Sequence, residues 1–417
     1  MQRLHIAVID EELPYPLTSG KRIRTFNLLR RLARRHRITY VAHRNADLVE
    51  AEDAALALRA AGIEPLIVER SVPTKSGARF YARLLGNLAS SLPYSVATHT
   101  SPALTAAVRD LSNREKVDLW HCEWTPYAQT MRTAFDHSPP FLVMAHNVES
   151  LIWQRYVEAE SNPAKRWYIQ RQFRKFEKFE QWAYSTADRT VAVSLDDAKL
   201  ICERFGATRV DVVDNGVDVA YFQPAPALAR DPYQILFLGS LDWRPNLDGV
   251  QMLLDTVFPI VRQQEPRAKL VLVGRQPPAW LRERVNNEAN VELHANVPDV
   301  RTYLHSSGML AVPLRIGGGS RLKILEALAT GLPVVTTRVG VEGLLLEPDR
   351  HVTVTETVEQ MSEAILNGMK SARGLQLQAT RGRQRILERY DWDPLAKRLE
   401  EVWGEVVQGA SVRKRVA

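Results

Sequence analysis

A chain of 417 residues is too long for one ordinary core, so two domains are expected. With 45% hydrophobic and 25% charged residues it has the balance of a soluble globular protein, which excludes fibrous and disordered classes. The net charge of +7 suits anionic partners such as nucleotides, phosphates or a lipid surface. There is no zinc-finger spacing and no aromatic RNA-binding motif, so nucleic acid is not an expected partner. Two cysteines, Cys122 and Cys202, lie far apart without metal-ligand neighbours and suggest a reducing compartment. The start, MQRLHIAVID, lacks an apolar signal core, and no run approaches the roughly 20 apolar residues of a membrane span. A cytoplasmic location is the expectation.

Residues 4–9 form a short apolar strand typical of the first strand of a doubly wound sheet. A loop with Pro14, Pro16, Ser19 and Gly20 leads to a helix over 22–36. Ile23, Phe26, Leu29 and Leu32 face inward there, leaving a basic flank of Arg24, Arg30, Arg31, Arg34 and Arg35. Strand 38–42, helix 51–61 and strand 65–68 follow, an alternation that argues for an α/β protein. Strand 117–121 ends in the polar cluster His121, Glu123 and Trp124, and strand 141–145 is followed by His146 and Asn147. Ligands in open α/β sheets lie beyond the carboxyl ends of strands, which suits His146 for chemistry; a solvated loop histidine is the competing account. Residues 162–187 interleave Lys165, Arg166, Arg171, Arg174, Lys175 and Lys178 with six aromatic residues. A helix packing its aromatics on the protein is favoured there over one lying in an anionic membrane surface. Strand 190–194 is expected to close the first half.

The turn Asn215-Gly216-Val217-Asp218 is followed by APALARDP at 225–232, the best linker candidate between the halves, and the second half then starts afresh. Strand 234–238 precedes Gly239 and a polar loop to Asn246. Helix 248–263 and strand 269–273, ending at Gly274-Arg275, come next, then strands 291–293 and 309–313 separated by 299–304. The stretch 315–343 reads RIGGGSRLKILEALATGLPVVTTRVGVEG. Gly317, Gly318 and Gly319 let a ligand approach the backbone, and Ser320 can cap a helix over 321–330. Leu322, Leu325, Leu328 and Ala329 make its apolar stripe, while Lys323 and Glu326 fall on another face. A glycine loop at a helix N-terminus offers N–H groups and a positive dipole end to a phosphate, with Arg321 and Lys323 adding charge. Glu326, one turn deeper, can accept from a pair of sugar hydroxyls. A capped helix with a Lys323–Glu326 surface pair explains the same residues without a ligand. Residues 333–337 form a buried strand, and Tyr390-Asp391-Trp392-Asp393 precedes a last helix to about 407.

At this point the chain resembles the retaining glycosyltransferases of the GT-B fold, family 4, and looks nearest to sugar transferases of bacterial exopolysaccharide assembly. The resemblance rests on AHNVE at 145–149, VS at 193–194, VVDNGVD at 212–218, LFLGSLDWRPN at 236–246 and GGSRLKILEALATGLPVV at 318–335. Val297-Pro298-Asp299-Val300 and Tyr390-Asp391-Trp392 add to it. It implies two Rossmann-like doubly wound α/β domains facing across a cleft. Residues 1–214 would serve the acceptor, 215–388 a UDP- or GDP-sugar donor, and 389–417 a helix returning to the first domain. Glu326 matches the glutamate that binds the ribose, 296–300 with Val297 would touch the base, and His146 would face the donor sugar. The loop around Gly20 would close over the diphosphate or sugar. Gly239, Arg244, Arg275, Gly318, Gly319 and Ser320 complete the implied donor-binding set, with His146, Arg321 and Lys323 catalytic. No metal or other cofactor is implied.

Two departures stand out. A second family glutamate is replaced by Gly318, and the usual Arg and Lys after the first strand of the second domain are missing from 239–246. Arg321 and Lys323 would replace that charge, with Arg244 or Arg315 as further sources. Charge building on the leaving diphosphate would be stabilised by these cations and helix-end N–H groups, in a front-face displacement. Competing functions are a donor-hydrolysing epimerase, for which Glu123 and Glu149 are candidate acid–base groups, and a non-catalytic nucleotide-binding scaffold. The expected acceptor is lipid-linked or a glycan, with peripheral contact to anionic membrane through the basic surfaces of 22–37 and 162–187.

Overall fold

The computed structural model describes residues 2–70, 73, 77–137, 139–225, 228–316 and 322–416, without the side chains of 159, 372 and 411–416. It contains two compact units: residues 1–214 together with 393–417, and residues 215–392. In both, short aliphatic strands alternate with helices, a pattern that buries both strand faces only in a parallel sheet covered on each side.

The first unit holds β1 (His5–Asp10), β2 (Arg37–His43), β3 (Ile63–Val68), β4 (Leu119–Cys122), β5 (Phe141–Ala145), β6 (Arg189–Ala192) and β7 (Val210–Val212). They run parallel in the order β3-β2-β1-β4-β5-β6-β7. The order reverses beside β1, so the loops after β1 and β4 open at a switch point, where ligands collect in such sheets. The second unit holds β8 (Asp231–Leu238), β9 (Lys269–Gly274), β10 (Val291–Ala295), β11 (Ser307–Val312), β12 (Val334–Thr337) and β13 (Thr353–Thr355). These are parallel in the order β10-β9-β8-β11-β12-β13. Both units are Rossmann-like.

Several expectations change. β6 does not close the first sheet, because β7 pairs with it from Thr190↔Val210 onward. The stretch between 69 and 116, in which no element was expected, holds helices Ala78–Asn87, Tyr94–His99 and Pro102–Arg114. Residues 225–232 belong to the second unit and are no linker, since the Arg230 guanidinium bonds the carbonyls of Leu304, Ser307 and Thr330. The helix expected at 248–263 begins at Arg244 and widens into a π turn at Leu253–Val257, just before Pro259 removes a backbone N–H. Ser19 caps the helix Gly20–Leu32, which starts two residues earlier than its apolar periodicity suggests.

Much of the basic surface over 22–37 is paired. Arg22 pairs with Glu12, Arg31 with Asp393, Arg35 with Glu400 and Arg37 with Glu115. Arg24 is fully buried, donating to the carbonyls of Val213 and Asp214. This surface is therefore not the free cationic face that its composition suggests. The last helix, Trp392–Val416, is fastened within the first unit: His36 Nε2 meets Glu400 Oε1 at 2.8 Å, and Trp403 Nε1 donates to His121 Nδ1 at 3.2 Å. Asn162 caps the helix Pro163–Thr186, whose Phe176 and Phe179 are buried, with Trp153 stacked on Phe176. Packing on the protein thus accounts for its second half, while its first turns through Trp167 are exposed. Among the described residues no helix is long and apolar enough to cross a membrane.

Candidate functional site

In the second unit, the loops after β8 and β9 touch. Gly239 N–H donates to Val273 O at 3.1 Å and Leu241 N–H to Arg275 O at 2.9 Å. A Cβ on Gly274 would stand 2.0 Å from Gly239 O, so only glycine permits that approach. A Cβ on Gly239 would stand 2.8 Å from both Asn246 Nδ2 and Lys323 Nζ. Lys323, near the start of the helix Leu322–Ala329, donates to Asn246 Oδ1 at 2.9 Å and lies over the Phe237 ring. Asn246 Nδ2 in turn donates to Ser240 O at 2.9 Å. The ammonium is thus delivered to the carboxyl end of β8 by a built contact, unlike a solvated surface pair.

Glu326 lies one turn further along the helix. Burial pushes its carboxyl up to about 7, against the opposing pull of Lys323. Among the described residues no hydrogen-bond partner meets that carboxylate. A desolvated acceptor without a donor is what a ligand hydroxyl relieves.

Arg275 Nε donates to Ser240 Oγ at 3.0 Å. Asn296, at φ 55°, donates from its N–H to Gly274 O at 2.9 Å, and its Oδ1 accepts from Gln276 N–H at 3.0 Å. The half-buried Val297 follows directly. Contacts therefore link Gly239, Lys323, Arg275 and the start of 296–300 at one end of this sheet. Arg244 is exposed at the first turn of its helix. Arg315 does not supply free charge, because it is paired with Asp248 at 2.6 Å. Gly318, Gly319, Ser320 and Arg321 lie outside the described residues, as does Gly317. Asn246 and Gly274 are parts of this end that sequence reasoning missed; the glycine after the second strand was the available signal.

In the first unit, the ends of β1, β4 and β5 gather titratable groups. Glu123, just after β4, is buried and accepts from Thr25 Oγ1 at 2.7 Å. His146 Nε2 lies 3.1 Å from its Oε1. His121 Nε2 lies 2.9 Å from its Oε2, off the line of a good hydrogen bond. Burial pushes the Glu123 carboxyl up, but His121 and His146 more than offset this and hold it well below the usual range. Burial lowers His146, against the pull of Glu123. His146 is therefore no solvated loop histidine. As a neutral ring donating from Nε2 to Glu123, it keeps Nδ1 as an acceptor.

Beside this group, Lys21 bonds Asp10 and Glu11, and Tyr40 donates to Asp10 at 2.6 Å. Gly20, exposed, is the first residue of the same helix. Glu149 accepts from Trp124 Nε1 at 2.8 Å, and burial raises its carboxyl to about 7. Glu180, also raised to about 7 by burial, accepts from the N–H groups of Glu149 and Ser150. Glu123 is thus held by Thr25 and His146 and lies against His121.

Residues 18–221 match the family described as Glycosyltransferase Family 4, and residues 232–371 match Glycosyl transferases group 1. A similar curated protein is the glycogen synthase of Mycobacterium tuberculosis, 24% identical over 55% of this chain and 57% of that protein. The chain spans about half the length of the curated relatives it matches first. Among solved structures, sucrose-phosphate synthase of Thermosynechococcus elongatus superposes with a TM-score of 0.74 at 17% identity, covering 98% of this chain and 100% of that one. HepE of Anabaena in complex with UDP and glucose superposes with a TM-score of 0.68 at 14% identity, covering 97% and 100%. At these identities the likeness shows the fold, which is GT-B.

Proposed function

We propose that this chain, matched over 18–221 by Glycosyltransferase Family 4 and over 232–371 by Glycosyl transferases group 1, moves a sugar from a nucleotide-sugar donor to a lipid-linked or polysaccharide acceptor. One observation carries the reading: the Glu326 carboxylate, raised by burial and without a hydrogen-bond partner among the described residues, beside the Lys323–Asn246–Gly239 contact. A ribose diol donates two hydrogen bonds to one carboxylate, and a diphosphate meets an ammonium one helical turn away. The solved HepE structure holds UDP, which supports a uridine donor as the first to try.

In this reading Lys323 and Arg321 stabilise the charge that builds on the leaving diphosphate, without a metal ion. Gly318, Gly319 and Ser320 present backbone N–H groups to the phosphates, and Arg244 and Arg275 border the donor. Val297 packs against the base, and Gly20 opens the segment that covers the diphosphate. His146, held by Glu123, accepts from a donor-sugar hydroxyl through Nδ1. The configuration at the anomeric carbon is retained through front-face attack. The setting is cell-surface polysaccharide synthesis in the cytoplasm, at the inner membrane face.

The test is a thermal-shift series with UDP and GDP on the wild type and on Glu326→Ala. One diphosphate should stabilise the wild type by about 2.7 kcal/mol at a hundred times its Kd, and the variant should lose most of this. Absence of any shift would reject the donor site. Gly318 in place of a second glutamate favours one other reading, a nucleotide-binding scaffold; it predicts binding without product from any sugar nucleotide.

A further inference from the structure

The helix Ala78–Asn87 in the first unit turns its apolar stripe outward. Ala78, Tyr81, Ala82 and Leu85 recur at helical spacing on its exposed side, with Tyr81 64% and Leu85 68% exposed. Its other side is the anchored one: Phe80 packs edge-on against Tyr94, and Arg83 Nε donates to Tyr94 OH at 3.3 Å. An amphipathic helix that shows water its apolar face, in a protein with ordinary cores elsewhere, marks an interaction surface.

This surface continues onto the helix Pro163–Thr186. Lys175 Nζ donates to Asn87 O at 2.6 Å, and Arg171 donates to Leu88 O at 3.0 Å. One turn before Arg171 stands Trp167, 56% exposed and within cation–π distance of the Arg171 guanidinium. Lys165 and Arg166 beside it are exposed too, as are Arg79 and Arg174. No aspartate or glutamate occurs in residues 71–109 or in 161–176. Two adjoining segments thus combine exposed Tyr, Leu and Trp with cations and no carboxylate.

We propose that Tyr81, Leu85 and Trp167, with the surrounding arginines and lysines, dock this unit on an anionic lipid bilayer. The charge pattern selects this occupant. A twofold contact with a second copy would lay like-charged patches against each other, whereas lipid phosphates neutralise them. Indole and phenol rings settle at the headgroup level, and Leu85 enters the acyl boundary. The surface deepens the proposed function, since it rests on the reading that the acceptor is lipid-linked, and it would bring the enzyme to that acceptor.

The experiment is flotation of the full chain with vesicles of phosphatidylcholine alone and of phosphatidylcholine with phosphatidylglycerol, at low and high salt, without any nucleotide. The expected result is co-flotation with the anionic vesicles at low salt only. Tyr81→Ser combined with Leu85→Ser should cut partitioning roughly ten-fold or more, and Lys165→Gln and Arg166→Gln roughly five-fold each. Leu377→Ser, at an exposed leucine of the second unit, should change nothing. Melting curves of all variants keep loss of fold separate from loss of binding. No flotation, flotation indifferent to the Tyr81 and Leu85 substitutions, or a dimer in light scattering that those substitutions dissolve would each overturn the proposal. Vesicle binding is read without donor, so nucleotide binding without flotation overturns this surface and leaves the transferase reading standing.

Discussion

The indole Nε1 of Trp403 donates to Nδ1 of His121 across 3.2 Å, between two side chains closed off from solvent. A neutral imidazole that accepts at Nδ1 carries its proton at Nε2, and that atom faces Glu123. Glu123 in turn meets Nε2 of His146. A residue of the last helix therefore reaches, through one histidine and one carboxylate, the histidine at the end of β5. Trp403→Phe keeps the ring and deletes the donor, leaving a buried acceptor unsatisfied. The expected loss is about 1–3 kcal/mol in urea unfolding. Nitrogen chemical shifts of labelled His121 should show its preference for the Nε2–H form weakened, whereas an unchanged tautomer would refute the relay.

Lys323 offers a second test. Lys323→Met keeps the stem over Phe237 and removes the charge that meets Asn246 and, in the proposed function, the diphosphate. Nucleoside diphosphate affinity should fall roughly ten- to hundred-fold in calorimetry, the scale of a charged hydrogen bond. Equal binding by variant and wild type would remove Lys323 from the site.

Proton release should accompany nucleotide binding. Burial holds the Glu326 carboxyl at about 7, and hydroxyl donors favour its charged form, so a bound ribose lowers its pKa. Near pH 6.5 binding should expel a fraction of a proton, seen as a dependence of the binding enthalpy on buffer ionisation. Glu326→Gln should abolish that dependence while the protein stays folded.

Glu180 predicts a pH effect on stability. Its carboxyl rises from 4.5 unfolded to about 7 folded, so across that window the folded state holds more protons. Its contribution is fully present below about 4.5 and is lost as pH rises through about 7. Glu180→Gln should therefore gain stability relative to wild type as pH is raised from about 5 to about 8. The difference between the two melting curves reports Glu180 together with Glu149, whose raised carboxyl it also pushes up, and leaves out the lowered histidines His43 and His146, which slope the other way.

The two loop glycines should respond differently to alanine. At Gly274 the new methyl meets the carbonyl oxygen of Gly239, a backbone atom that cannot yield cheaply. A cost of about 1–3 kcal/mol or more is expected in the urea midpoint. At Gly239 it meets only the ends of Asn246 and Lys323. Gly239→Ala should cost little stability and mainly weaken nucleotide binding.

Much of this architecture was legible because strand–helix alternation and aliphatic runs such as HIAVID and LVLVG are local signals. The helix Ala78–Asn87 was not, since its Tyr81 and Leu85 face outward and do not report a core. The basic flank of Gly20–Leu32 misled because its partners, Asp393 and Glu400, lie hundreds of residues away. The same distance hid Trp403 from His121. His146 could be singled out from its place after β5, but the carboxylate that fixes it needed the fold. Lys323 and Glu326 were visible on one helix face; that Lys323 turns to Asn246 depends on a loop meeting the helix 77 residues later.

The first unit is sewn from two stretches of chain, 1–214 and 393–417, with the whole second unit synthesised between them. A ribosome therefore releases some 180 residues after β7 before it delivers the side chains that satisfy His36 and His121. Until then the earlier half carries a strip of bare apolar and polar surface where Trp403 and Glu400 belong. For this protein the N-terminal half is the one begun first and finished last, and an aborted chain leaves it as an unsealed, sticky fragment for cellular quality control to find.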